Sequence, residues 1–300
     1  MTNSSRELHQ DLRAAITDLC CRFPDSYWRE LDAERAYPEA FVQTLTEAGY
    51  LGALIPEEYG GSGLGLGEAS IILEEINRAG GNAAACHAQM YVMGTLLRHG
   101  SAEQKQTYLP QIAAGRLRLQ AFAVTEPTTG TNTTQLKTVA VRTGDRYVVN
   151  GQKVWISRAE HSDLMLLVAR TTPLAEVSKR TDGLSVFLVD LRSAVGNGLT
   201  IRPVRTMMNH STTEVFSTIS RCRSRLVSEK RETGFGICST DSTQNGYSSR
   251  LNVSVMGDGS SSGRVRMPRT ASYSSVLSAK TRGSSFRSHG RMSMLKPPIS

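Results

Sequence analysis

The hydrophobic period of this chain changes once, near Arg116, and that change limits the folds open to it. Before it, Leu8, Leu12, Ile16 and Leu19 recur at threes and fours between Glu7 and Arg22, one face of an amphipathic helix. The same spacing links Phe41, Leu45 and Ala48, then Ile71, Ile72, Ile76 and Ala79, and returns from Ala83 to Leu97. In GSAEQKQTYLPQIAAG, Ser101 suits an N-cap, Gln104 the return arm of a capping box and Gly115 a stop, with a kink expected at Pro110. After Arg116 the runs LQAFAV, RYVVNGQKVWIS, DLMLLVAR and LSVFLVDL have strand length, with turns expected at Thr143-Gly144-Asp145 and Asn150-Gly151. The expectation is an α+β chain: an all-α domain over residues 1–118, then a β-barrel domain over residues 119–216.

Charge separates the rest of the chain from this part. The formal net charge of the 300 residues is +8, and residues 217–300 alone contribute +10, with 14 Lys and Arg against 4 Asp and Glu. Residues 1–216 are therefore mildly acidic, which argues against a nucleic-acid partner for them. The five cysteines, Cys20, Cys21, Cys86, Cys222 and Cys238, lack metal-ligand spacing, and an odd count with no secretory leader implies reduced thiols and a cytoplasmic location. No apolar run is long enough for a membrane span. No metal site is expected.

Two segments carry chemistry. LQAFAVTEPTTGTN places a strand before Thr125-Glu126-Pro127 and a Gly130 loop rich in threonine. Such a loop lets backbone amides approach a phosphate or a planar heterocycle, although ordinary polar turns share the composition. In NGQKVWISRAEHSD, strand geometry puts Trp155 and Ser157 on one face, where an indole and a hydroxyl suit an aromatic cofactor or, equally, a half-buried Trp at a barrel end. His87, His99, His161 and His210 show no nucleophile or ligand spacing and read as structural. Glu57, Glu58 and the Glu74-Glu75 pair read as solvated faces.

Together, these segments behind LIPEEYGGSGLG closely resemble the acyl-CoA dehydrogenase family of flavoproteins, from about Leu31 to Phe216. The family words T-E-P-x-x-G-[ST] and N-G-x-K-x-W-I-[ST] stand at residues 125–131 and 150–157. The resemblance implies FAD as cofactor. Phe122, Ala123, Val124 and Thr125 would line the flavin, Gly130 and Thr131 amides would meet its pyrophosphate, and Thr131 would also face the acyl-CoA. Trp155 and Ile156 would pack at the isoalloxazine, with Ser157 bonding near N5. Asn132 stands where the family usually has Asp.

The resemblance stops after TTEVF. Family members continue with words like FDDLEV, GLNAER and QNQGVQFPIA, the first a strand and the others on helices. None is present, yet back-translation with freely chosen synonymous codons and a one-base shift produces all three, from Ser217 to Cys222, Asp241 to Gly246 and Lys280 to His289. Residues 217–300 thus read as a frameshifted, disordered Ser/Arg-rich tail replacing a C-terminal four-helix domain. The rival reading, a basic nucleic-acid tail, has only Phe235, Tyr247, Tyr273 and Phe286 as aromatics.

By the resemblance, a carboxylate takes the α-proton of an acyl-CoA thioester while the β-hydrogen leaves as hydride, and an electron-transfer flavoprotein or similar carrier accepts the electrons. The family's catalytic base sits in the missing domain, so no catalytic residue is assigned. The intact family assembles as homotetramers or homodimers, which the loss of that domain puts in doubt. The readings left are a dehydrogenase by descent that is inactive in this chain, a non-catalytic flavin- or CoA-binding remnant, and a flavin monooxygenase on the same fold.

Overall fold

Helix α1 (Asn3–Cys20) packs on α4 (Leu66–Arg78), with α2 (Asp25–Glu34) and α3 (Glu39–Glu47) between them in sequence. The computed structural model describes residues 3–144, 146–219 and 225–226. Ile16, Leu19, Phe41, Val42, Leu45, Ile72 and Ile76 close a first core, each large side chain contributing about 1.5–3 kcal/mol by leaving water. Leu8, expected on the buried face, is 49% exposed. The early turns of α1 meet α4 through polar pairs instead: His9 bonds Glu68 at 2.8 Å and Arg13 bonds Glu74 at 2.8 Å. Glu75 also corrects the sequence reading, since its carboxylate is buried and paired with Arg13 and Arg78. Glu57 and Glu58 are exposed as expected.

Helices α5 (Ala84–His99) and α6 (Ala102–Ala113) complete the helical part. Ser101 accepts the Gln104 amide and the Gln104 side chain returns to the Ser101 amide, closing the expected capping box. Helix α6 runs on through Pro110 to Ala113, and Gly115 takes φ 69° beyond it.

The strands are β1 (Leu119–Ala123), β2 (Val139–Thr143), β3 (Arg146–Ser157), β4 (Leu164–Arg170) and β5 (Leu184–Asp190), then the single turn α7 (Leu191–Ala194), β6 (Leu199–Pro203), β7 (Thr212–Ile219) and β8 (Arg225–Leu226). They form one curled sheet in the order β6-β7-β3-β2-β4-β5-β8, with β1 parallel to β4. The expected barrel is thus a curled sheet whose described path ends on β6 and β8.

Strand β4 is buried on both faces. Leu164, Leu166 and Val168 join Val92, Leu96, Leu109 and Ile112 in a core shared with the helices, while Met165, Leu167 and Ala169 face Phe187, Val189 and Val215. That shared core places α5 against β1 within one compact unit.

Two sequence expectations shift here. Asn150-Gly151 is no turn but the middle of β3, paired with Thr218 and Ser217 of β7. The glycine answers to packing: a Cβ on it would lie 2.3 Å from the Thr138 hydroxyl. Strand β7 also continues past Phe216 to Ile219. Within the expected frameshifted tail, β8 also pairs with β5; the rest of that tail lies outside the described residues.

Candidate functional site

The loop after β1 is built around a buried ion pair. Glu126, 4% exposed, accepts the amides of Lys137 at 2.7 Å and Thr138 at 2.9 Å, and the Lys153 ammonium at 2.9 Å. Lys153, 1% exposed, also donates to the Val124 carbonyl at 2.9 Å. Burial alone would raise the Glu126 pKa, but the Lys153 charge and the bonds from Thr138 and Lys137 outweigh it and hold the carboxyl below its usual range. Reciprocal bonds between Glu126 and Thr129 close a tight turn at Pro127-Thr128. The loop is therefore held from inside, with Gly130 and Thr131 outward.

The amides of Gly130 and Thr131 have no hydrogen-bond partner among the described residues, nor do the hydroxyls of Thr125, Thr131 and Ser157. A Cβ placed on Gly130 would meet nothing within 4 Å, so the loop is open there. Asn132 keeps its carbonyl for Thr134, whose hydroxyl donates at 2.6 Å.

Trp155 sits where β3 departs from regular pairing. Lys153 pairs with Val215 and Ile156 with Thr213, so three steps on β3 match two on β7. The resulting bulge holds Trp155 at φ 61° with its indole 61% exposed, a left-handed conformation that costs an L-residue roughly 1–2 kcal/mol. The bulge removes the strict alternation on which a shared face for Trp155 and Ser157 was expected: Trp155 is out in solvent, while Ser157 is half-buried opposite Thr212. Val154 donates to the Thr125 carbonyl at 2.9 Å, which ties the bulge to the loop. Trp155 borders a depression of about 310 Å³ with Pro127, Val204 and Glu214.

Of the other expected residues, Phe122 and Val124 are half-buried beside the core shared with the helices. Ala123 and Ile156 have fully committed side chains, at 0% and 2% exposure, so only their backbone could meet a ligand. The residues reasoning from sequence passed over are Lys153 and Arg158. The Lys of N-G-x-K stood in the motif without a role, and nothing in the pattern said that Arg158 would be buried. His161 and His210, read as scattered, converge on Arg158 with His87, while His99 stands apart. Among the described residues no group of His, Cys, Asp or Glu could hold a metal ion, and no helix is long and apolar enough to cross a membrane.

Comparison with known proteins agrees with this arrangement. Residues 6–116 match the family "Acyl-CoA dehydrogenase, N-terminal domain" and residues 121–219 match "Acyl-CoA dehydrogenase, middle domain". Acyl-CoA dehydrogenase FadE26 of Mycobacterium tuberculosis is 32% identical over 218 residues, which is 72% of this chain and 53% of that protein. Glutaryl-CoA dehydrogenase of Desulfococcus multivorans is 34% identical over 203 residues, covering 65% and 50%. Among solved structures, a glutaryl-coenzyme A dehydrogenase with glutaryl-CoA superposes with TM-score 0.74 at 25% identity, over 86% of this chain and 64% of that one. The electron transferring flavoprotein work on Acidaminococcus fermentans provides another, with TM-score 0.75 at 25% identity over 86% and 66%. The chain spans about half the length of the curated relatives it matches. With both regions matched, the chain belongs to the acyl-CoA dehydrogenase family of flavoproteins.

Proposed function

We propose that this chain supplies the flavin- and acyl-CoA-binding face of an FAD-dependent acyl-CoA dehydrogenase. The observation that carries this reading is the pair of unengaged amides at Gly130 and Thr131 beside an exposed indole held in a bulge. In that role the two amides hold the FAD pyrophosphate, Trp155 stacks on the ring system and the Ser157 hydroxyl donates near N5. Thr131 faces the acyl-CoA as well. FAD, when bound, supplies the hydride acceptor for α,β-dehydrogenation of the thioester.

What these residues do not supply is a base. The buried carboxylates among the described residues, Glu75 and Glu126, are both committed to cations, and a thioester α-proton needs a positioned acceptor. With no base assigned among the described residues, this reading has the chain bind flavin without turning over, the remnant alternative. In an intact relative the electrons would pass to an electron-transfer flavoprotein, in a cytoplasmic homotetramer or homodimer. A flavin monooxygenase on this fold would differ by consuming oxygen with reduced flavin.

The test is a titration of the 300-residue chain with FAD, followed by addition of short-, medium- and branched-chain acyl-CoAs under anaerobic conditions. Flavin fluorescence should be quenched on binding, Trp155→Ala should weaken it about tenfold by loss of stacking, and no acyl-CoA should bleach the flavin. Unchanged affinity in Trp155→Ala would refute the site, and bleaching would place a base within this chain.

A further inference from the structure

Among the described residues, Arg158 is a buried cation with no anion partner. The residue follows Ser157, sits at φ 60° and is pinned by its main chain: its amide donates to the Ser211 carbonyl at 2.9 Å, and its carbonyl accepts the His161 amide at 3.1 Å and the Ser162 hydroxyl at 2.8 Å. The backbone therefore directs the side chain inward, where it is 7% exposed. Among the described residues the guanidinium makes one hydrogen bond, Nη2 to Nδ1 of His210 at 3.3 Å. No carboxylate among the described residues pairs with it; Asp32 and Glu160 are nearby acidic residues, and both are exposed. A guanidinium offers five donors in a planar fork, and a buried charge left this way is normally paired.

The surroundings are donors too. Tyr37 stacks on His161 with ring centres 4.2 Å apart and donates its hydroxyl to Gln120 Oε1 at 2.9 Å. That bond fixes the Gln120 amide, whose Nε2 is buried without a partner among the described residues, as is His87 Nε2. Helix α5, which carries His87, packs directly on β1, which carries Gln120. Burial first, and then the charge of Arg158, push His87 down to about 4 and lower His210, while burial lowers His161 with help from the charges of Arg118 and Arg158. His161 has in addition the opposing pull of Glu39. Neutral imidazoles offer N–H groups without competing for an anion. His161 and His210 also line a cleft of about 760 Å³ bounded by the 203–212 segment, which gives the cluster a way in from solvent.

A fixed guanidinium, an unpartnered amide NH₂ and an unpartnered imidazole, all between the helices and the sheet, form a receptor for a planar oxyanion. We propose that Arg158, with His87 and Gln120, binds the free carboxylate of an acyl-CoA whose acyl chain ends in one. A carboxylate has the two coplanar oxygens that match the guanidinium fork. This inference deepens the reading given under Proposed function, because Arg158 directly follows Ser157 in the chain.

Two pairs of probes separate the anion site from the functional reading. The first compares glutarate with its neutral dimethyl ester on the full 300-residue chain, by calorimetry and by the imidazole resonances of His87 and His210. Glutarate should bind and shift both histidines, the diester should do neither, and Arg158→Gln should weaken glutarate at least tenfold while Arg158→Lys retains part of the affinity. Near-UV circular dichroism of both variants confirms that the fold is kept. The second pair is glutaryl-CoA against butyryl-CoA, where at least a tenfold preference for the former should vanish in Arg158→Gln. Absence of glutarate binding, or binding untouched by Arg158→Gln, overturns the anion site whatever the protein's function. Glutarate binding through Arg158 without a preference for glutaryl-CoA overturns the substrate assignment alone. Inorganic phosphate displacing glutarate at equal concentration overturns the choice of carboxylate.

Discussion

Replacing Lys153 with Met tests whether the Gly130 loop is held by its buried ion pair. Methionine approximates the length of the aliphatic stem and removes the ammonium, leaving Glu126 buried with the two amide donors of Lys137 and Thr138. Breaking a buried pair by removing one partner costs about 3–5 kcal/mol, and the two surviving donors argue for the lower end, about 3 kcal/mol. That is a large share of the roughly 5–15 kcal/mol that stabilises a folded domain. Lys153→Met/Glu126→Gln should recover part of the loss, because no uncompensated charge remains. The assay is urea unfolding of wild type, both single variants and the double variant, completing a cycle. A pH series adds a second check. In wild type the Glu126 carboxyl is depressed and its stabilisation is lost as pH falls through that depressed value. In Lys153→Met, burial is less opposed, the carboxyl protonates more readily, and the deficit should shrink between pH 7 and pH 5. A single variant costing less than about 1 kcal/mol, or a double variant costing the sum of both singles, would refute the argument.

Gly151→Ala should destabilise the sheet by about 1–3 kcal/mol, the usual cost of overpacking, since the new methyl would lie 2.3 Å from the Thr138 hydroxyl; a thermal midpoint equal to wild type would show that Thr138 yields freely. Trp155→Ala should leave stability within about 1 kcal/mol, its indole being 61% exposed, so the loss of FAD affinity expected of it can be read without a folding artefact. Stability should also decline as pH falls from 6.5 to about 4, because the unfolded chain protonates His87 in that window while the folded chain resists it. His161 and His210 act in the same direction. His87→Gln should flatten the dependence of the urea midpoint on pH, and an unchanged slope would assign that decline to other groups.

Much of this protein was legible in the sequence because the signals were local. Period alone separated helices from strands, the Ser101 and Gln104 spacing specified a capping box that forms as expected, and two motif words marked the Gly130 loop and the strand beside it. The failures came where a distant residue decided the outcome. Asn150-Gly151 has the composition of a hairpin turn, but Thr138 needs that space and the strand runs through. Leu8 follows the helical period of α1 yet is exposed, since α4 meets the early turns with Glu68 and Glu74 rather than apolar groups. Trp155 and Ser157 alternate in sequence, and one extra residue against β7 undoes the alternation. Arg158 is the extreme case. Its letter gives no hint of burial, and only the packing of α5 on β1 brings His87 and Gln120 to it. Local sequence fixes backbone preference and hydrophobic period, which act over a few residues; burial of a charge, a bulge opposite a partner strand and close contact at a glycine depend on atoms far along the chain, and only the tertiary structure decided them.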